Sequence, residues 1–423
     1  MRQHPPSEVV IIGAGMAGLS CARVLHEHGV GFTVLEKTGG PGGRIKTDRI
    51  AGFQLDHGFQ VLQTGYPGIS AYLDLESLQL CRFPAGVAIR YQERFHVVAD
   101  PRHHPGSIYS TIASPIGSLG DRMKLLKLVG SLVRHPMEKI FEDPEEPTIN
   151  FLRKWGFSER FIKSFFTPFF AGACLDASMT GSSRVLKYVT RLFSTGDAAL
   201  PAEGMGAVAR QLASSLPEGS IRYNQEVSSV RKGAVTLADG TVLEAEQIVV
   251  AGSQPACAKL MQLDVPVKSV GEACLYFSAQ WQPPIPQPFL VLNGGDKGPV
   301  NNIAFPSLVA PGYAPPGKTL VAAVVLGDHN VHSDHLEDLV RKQCAEWFGS
   351  AVQEWEHIKT FIIDQALPNQ APPTSNPYTY PEPFSPGIRI CGEHSSLPGL
   401  QWALMSGAMA GRSLVNPVGA TAR

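Results

Sequence analysis

Several protein classes are argued against by what this chain lacks. Net charge is −1 over 423 residues, with 36 Lys and Arg against 37 Asp and Glu. That balance offers no basic surplus for nucleic acid and no field for a strongly charged substrate. No run of about 18 apolar residues occurs, which argues against a membrane-spanning helix. The seven cysteines (Cys21, Cys81, Cys174, Cys257, Cys274, Cys344 and Cys391) are scattered, odd in number and without C-x-x-C spacing. They suggest neither zinc nor a disulfide framework and fit a reduced, cytoplasmic compartment. Met1 to Glu8 leave no room for a signal or transit peptide before the first apolar stretch. No metal is expected either. His329, His332 and His335 make H-x-x-H-x-x-H, but on a loop entering a helix capped by Ser333 such ligands do not converge.

What is present begins at once. Val9-Val10-Ile11-Ile12 reads as a buried parallel strand, and Gly13, Gly15 and Gly18 complete G-x-G-x-x-G around Met16 and Ala17. Gly13 allows the tight turn, Gly15 lets the backbone approach a pyrophosphate, and Gly18 lets the next helix pack on the strand. The helix then aims its N-terminal N–H groups and dipole at the anion. A helix from Leu19 to His28 and a second strand, Phe32 to Leu35, lead to Glu36, beside Lys37. Glu36 is close to the spacing of a carboxylate that accepts ribose hydroxyls. A glycine-rich turn without a ligand is the alternative, and the strand–turn–helix–strand–acid order argues against it.

Just beyond the acid, Gly42-Gly43-Arg44-Ile45-Lys46-Thr47 adds a glycine doublet and a fixed cation suited to phosphate or ribityl oxygens. G-x-G-x-x-G, Glu, then G-G-R-x-x-T resembles the flavin amine oxidase, phytoene desaturase and protoporphyrinogen oxidase superfamily. The resemblance implies an α/β fold: a Rossmann-like FAD-binding domain of the glutathione-reductase-2 type with an inserted α+β substrate domain. The implied division is 1–77, 198–263 and 384–423 for the FAD domain, with 78–197 and 264–383 for the substrate domain. Pro201-Ala202-Glu203-Gly204-Met205 looks like the family's P-x-x-G-M turn. The resemblance also implies main-chain contact from Val227 to the adenine end. The segment Gly392-Glu393 and the helix opened by Gln401, Trp402 and Ala403 would lie at the flavin end. Trp402 departs from the family pattern, where Gly is usual; it is a site candidate that sits over the flavin or reshapes the pocket.

The substrate side is less specific. Val87–Tyr91 and Phe95–Val98 read as paired strands, Asp121–Val133 as an amphipathic helix, and Thr148 as the cap of another. Seven phenylalanines fall between Phe151 and Phe170. Helical core packing is the plain reading; an apolar substrate tunnel or a peripheral membrane patch is the sharper one. His57 and His394 are candidate bases, although a His beside Gly in a hairpin is ordinarily a hydrogen-bonded loop residue, and Asp56 is expected to fix backbone. The lysine that amine oxidases of this superfamily place near flavin falls at Ala273, and one side of their tyrosine cage at Gly399. Asn376 to Gly387 has no cysteine for a thioether, so FAD is expected to be non-covalent. These departures favour an FAD-dependent oxidase or desaturase that removes hydride from a hydrophobic or cyclic small molecule. Electrons would pass to O₂ or a quinone, or return in a redox-neutral isomerisation, since no second G-x-G-x-x-G serves a nicotinamide. An amine oxidase releasing H₂O₂, and a non-enzymatic binding protein like the Rab escort and GDI proteins, are the alternatives. The substrate, the electron acceptor and the oligomeric state are not readable from the sequence.

Overall fold

A computed structural model describes residues 7–99, 114–264, 269–295, 297–327, 332, 334–379 and 383–415. Two seven-stranded sheets organise them. The first is built around Ser7–Ile12, whose valines and isoleucines are buried on both faces, as a parallel strand covered by helices must be. Phe32–Leu35 pairs with it on one side and Val242–Val250 on the other, both parallel, with Val10 opposite Thr33 and Ile248. Ile221–Arg222 extends one edge, Ile388–Ile390 joins Val242–Val250 in parallel, and the strands Val227–Arg231 and Ala234–Leu237 continue antiparallel. Chain segments far apart in sequence thus return to one sheet.

The first helix, Met16–Glu27, and the terminal helix, Leu400–Val415, pack together on this sheet. Their approach needs glycine. A Cβ at Gly407 would land on the Ala17 carbonyl, and one at Gly411 would lie 3.0 Å from the Cys21 carbonyl oxygen. The Ser20 hydroxyl donates to the Leu404 carbonyl at 2.7 Å, tying the two backbones directly.

The second sheet runs in the order Glu356–Pro368, Ser269–Ala279, Thr319–Leu326, Val300–Ala304, Leu290–Asn293, Gly86–Tyr91, Arg94–Ala99. All neighbours are antiparallel except the parallel pair Leu290–Asn293 and Gly86–Tyr91. Ser269–Ala279 and Thr319–Leu326 are buried nearly end to end, because the helix Leu336–Phe348 covers one face and the Phe53–Asp56 strand meets the other. Asp56 is the joint between the two halves. Its carboxylate accepts from Thr47 Oγ1 (2.5 Å), the Met205 N–H (2.9 Å) and the Tyr313 hydroxyl (2.8 Å). Tyr276 of the second sheet donates to the Asp56 and Gly58 carbonyls.

Helices close the far side of the second sheet. The amphipathic helix spans Leu119–Arg134, two residues earlier than Asp121, because Ser118 and Asp121 form a capping box. Asp121 also accepts from the Ser158 N–H and hydroxyl, both at 2.8 Å, so one carboxylate ties two helix starts together. Thr148 is the first helical residue of Thr148–Trp155, with Pro147 at the cap position. Before Leu336 the cap position is His335, whereas Ser333 and His329 lie outside the described residues. No helix among the described residues is long and apolar enough to cross a membrane, and no metal-ligating cluster is found among them.

Burial by itself would raise the Asp121 carboxyl, but the hydrogen bonds from Ser118 and Ser158 hold it at about 2. A carboxylate held below its unfolded value stabilises the fold above the unfolded pKa and stops doing so as pH falls through the folded one. Asp121→Asn should therefore cost about 2 kcal/mol at neutral pH. In denaturant titrations the gap from wild type should shrink as pH falls from about 4 to about 2.

Candidate functional site

The sheet and helix edges described above meet at one cavity of about 2090 Å³. That is more than a drug-sized ligand needs and leaves room for a dinucleotide and a second molecule. At its base, two glycine loops touch backbone to backbone. Gly13 takes φ +104° and donates to the Leu35 carbonyl. A Cβ at Gly13 would lie 2.9 Å from the Ala251 carbonyl oxygen. Gly42 and Gly43 also have positive φ; the Gly42 N–H donates to the Ala14 carbonyl at 2.8 Å, and a Cβ at Gly43 would reach 3.4 Å from the Gly15 Cα. Gly15, by contrast, has nothing within 4 Å of a built Cβ. Its open side belongs to the cavity.

Gly15 is also the cap position of the Met16–Glu27 helix, with no side-chain cap bond and no acid in the first turn. The helix therefore presents uncapped N–H groups and an unneutralised positive dipole end toward the space that Met16 and Ala17 line. Gly18 does not border the cavity. A Cβ there would strike the Gly13 carbonyl, so its work is in the helix–strand approach.

Glu36 is buried and borders the cavity. One carboxylate oxygen accepts from the Ala14 N–H (2.8 Å), the other from the Thr38 N–H (2.9 Å) and hydroxyl (2.7 Å). Lys37 is exposed beside it, and Val227 lines the same end. Arg44 pairs with the buried Glu393 and donates to the Ala366 carbonyl at 2.6 Å, so it bridges the first sheet's loops to the Glu356–Pro368 strand. Burial pushes the Glu393 carboxyl up, opposed by the Arg44 charge and by the Gly399 N–H that donates to it. Gly392 takes φ 143° and donates to Ser406 Oγ, joining this turn to the terminal helix; Ala403 borders the cavity one turn further on.

Four predicted residues have contacts of a different kind. Trp402 borders the cavity, but its indole is fully buried among Phe141, Tyr188 and Tyr378, with ring centroids 5.2 to 5.5 Å away. The large side chain thus packs the terminal helix against the helical region. Gln401 accepts from the Tyr188 hydroxyl and donates to the Pro67 carbonyl, and it does not border the cavity. Neither candidate base does. His57 is held by Asp48 at 2.8 Å, with its ring against Phe361. Burial and the Arg44 charge push the His394 imidazole down to about 4, so it is neutral at neutral pH.

Other cavity residues carried no local signal. Gln63 is buried, and neither atom of its side-chain amide has a partner among the described residues; the Thr190 hydroxyl is in the same position. Both border the cavity. Unpaired buried donors and acceptors are costly unless a ligand meets them, and a flavin or its substrate carries the matching groups. At the far end the phenylalanines divide. All six border the cavity, but Phe161, Phe166 and Phe170 are buried in the core, while Phe165, Phe169 and Phe193 are more open. Phe161, Phe165 and Phe169 stack at 5.0 and 6.0 Å, on a chain that passes through a π-helical turn at Ile162–Phe166. Such turns are frequent at functional sites.

Paired glycine loops at an uncapped helix end, a buried acid behind them and a long cavity are the features suited to a dinucleotide. The chain belongs to the flavin-containing amine oxidoreductase family, whose sequence profile matches residues 16–413. It is 42% identical over 78 residues to L-amino acid oxidase Cdc18 of Crotalus durissus cumanensis, covering 18% of this chain and 16% of that protein. It is 27% identical over 167 residues to mitochondrial protoporphyrinogen oxidase of Nicotiana tabacum, 39% of this chain and 32% of that one. The chain thus matches under a third of the length of either relative. The fold is shared over most of the chain with an oxidoreductase from Methanosarcina mazei: TM-score 0.73, 19% identity, 95% of this chain and 99% of that one.

Gly15→Val places its Cβ in the open side of the turn, where no atom beyond its chain neighbours lies within 4 Å. Its φ of −75° suits valine as well as glycine. The variant should keep wild-type thermal stability in the apo form and lose flavin affinity by about two orders of magnitude, read by fluorescence titration with FAD.

Proposed function

We propose that the protein holds FAD without a covalent bond and oxidises a hydrophobic or cyclic small molecule by removal of hydride from a C–H bond. The observation that carries this reading is continuity: one cavity extends from the glycine loops and Glu36 to Phe165, Phe169 and Phe193. The flavin, when bound, supplies the two-electron chemistry, and O₂ or a quinone would reoxidise it. The chain's own part is placement. Glu36 accepts the ribose hydroxyls, and the Met16–Glu27 helix end and the glycine loops receive the pyrophosphate. Arg44, anchored to Glu393, holds the middle of the site rigid, and the phenylalanines exclude water from an apolar ligand. The matching division assigns 1–77, 198–263 and 384–423 to FAD, with 78–197 and 264–383 to substrate.

We also read the cavity rim as a peripheral membrane contact of a cytoplasmic protein. Leu119, Met123, Leu126 and Val133 form one stripe along their helix and are 41 to 65% exposed, beside Phe193 at 39%. All five border the cavity. An apolar stripe at the mouth of an apolar cavity suits a ligand drawn from a lipid surface.

Anaerobic addition of candidate polyenes, porphyrinogens and amines to the FAD-loaded protein should bleach the flavin absorbance with an apolar or cyclic class. Bleaching by primary amines with H₂O₂ release in air would replace this reading with amine oxidation. Failure to bind FAD would sink both. The pair Met123→Asp and Leu126→Asp should lower co-sedimentation with phosphatidylcholine vesicles at least fivefold while flavin content is unchanged; equal sedimentation would remove the membrane contact.

A further inference from the structure

One acid in the cavity has no part in the cofactor cradle. Glu272 lies on the Ser269–Ala279 strand, amid residues that are otherwise apolar for several positions. Side chains alternate along a strand, so Glu272, Cys274 and Tyr276 share one face, while Ala273, Leu275 and Phe277 belong to the core on the other. Tyr276 fixes that first face against the loop after Phe53–Asp56 through its bonds to the Asp56 and Gly58 carbonyls. Glu272 meets the same loop. A Cβ at Gly58 would overlap Glu272 Oε1 and approach the Ile363 δ-methyl at 2.9 Å, so the absence of a side chain at Gly58 makes the space for the carboxylate. Glu272 is 6% exposed and borders the cavity, as do its neighbours Phe59 and Ile363.

Its surroundings leave the charge uncompensated. Among the described residues no hydrogen bond or ion pair reaches the carboxylate, and burial is the sole influence on its titration. The nearby ionisable groups are engaged elsewhere or buried. On its own strand is Cys274, whose thiol burial drives far up. On the facing loop, Asp56 is bonded to Thr47, Tyr313 and Met205, and His57 to Asp48. On Glu356–Pro368, Lys359 pairs with Asp48 and Asp364 with His332. The other neighbouring strand, Thr319–Leu326, carries no ionisable side chain. A buried carboxyl without a partner is costly, and a cavity-facing one without a fixed cation is suited to exchanging a proton with whatever fills the cavity.

The geometry points to Glu272 as the proton acceptor of the cavity, a catalytic residue for the oxidation proposed above, on which this inference rests. With FAD bound, the oxidised flavin would supply the two-electron chemistry, taking one hydrogen with its bonding pair from a ligand carbon. The second hydrogen, on the adjacent N, O or C, leaves as a proton to a Glu272 oxygen, and its bonding pair becomes the new double bond. The proton then passes to solvent. His57 and His394, which do not border the cavity, are not placed for this.

Two measurements on the FAD-loaded full chain test it. Burial pushes the Glu272 carboxyl up to about 7. Infrared difference spectra between pH 5 and 9 should therefore show a protonated-carboxyl band that disappears with a midpoint near that value and is missing from Glu272→Gln. Stopped-flow reduction, using the ligand class that bleaches the flavin, should speed up tenfold per pH unit below the midpoint and level off above it. Glu272→Gln should be slowed at least ~100-fold with a flat profile. Its ligand Kd should change less than about threefold, its flavin should still reduce with dithionite, and Glu272→Asp should recover part of the rate. A Glu272→Gln variant that keeps the wild-type rate and pH profile, or an unchanged carboxyl band, overturns the proposal. If no ligand class reduces the flavin, the oxidoreductase reading falls by that result, while the infrared titration still decides whether Glu272 exchanges its proton.

Discussion

The architecture depends on backbones that touch because no side chain stands between them. Gly13 and Gly18 bring the first strand and first helix together, Gly42 and Gly43 lay the second loop on Gly15, and Gly407 and Gly411 seat the terminal helix on the first. Each contact replaces a side-chain layer with direct packing or an N–H to carbonyl bond. The cavity base is rigid for that reason. Its one open side, at Gly15, is where an anion's oxygens can reach uncapped N–H groups.

Two buried carboxylates then place the remainder relative to this base. Asp56 gathers Thr47, Met205 and Tyr313 from three separate parts of the chain. Burial, partly offset by these bonds, raises its carboxyl to about 6. Asp121 joins the starts of two helices that wall the apolar end. Both act as fasteners between elements, whereas Glu272, equally buried, fastens nothing. The contrast among three inward acids separates structural roles from a chemical one more sharply than burial alone does.

The cofactor side was largely legible in the sequence because backbone constraints leave local marks. A turn that demands positive φ, or an approach that excludes Cβ, requires glycine at a fixed offset, and strand Phe32–Leu35 appears with the bounds its pattern predicts. The substrate side was legible in part. The strand Glu356–Pro368 leaves no clear pattern: it is an edge strand whose exposed positions mix Glu356, His357, Asp364 and Gln365 with Ile362, so no clean alternation survives. Thr148 resembles a cap yet begins its helix, because Pro147 before it already holds the entry conformation. The phenylalanine run was ambiguous for a physical reason, since core and cavity wall both favour the same side chain and only packing divides them.

From the sequence alone one could determine the glycine turns, the flavin family and the presence of an apolar region, since these rest on residue types that local geometry requires. Tertiary structure decided which of those residues face one another. It turned the Trp402 indole into an aromatic cluster, tied His57 to Asp48, and set Gln63 and Thr190 unpaired at a cavity wall. It also brought Glu272 opposite Gly58, 214 positions earlier in the chain. No periodicity or spacing could show that pairing, because a carboxylate's partners, and hence its chemistry, are supplied by segments distant in sequence.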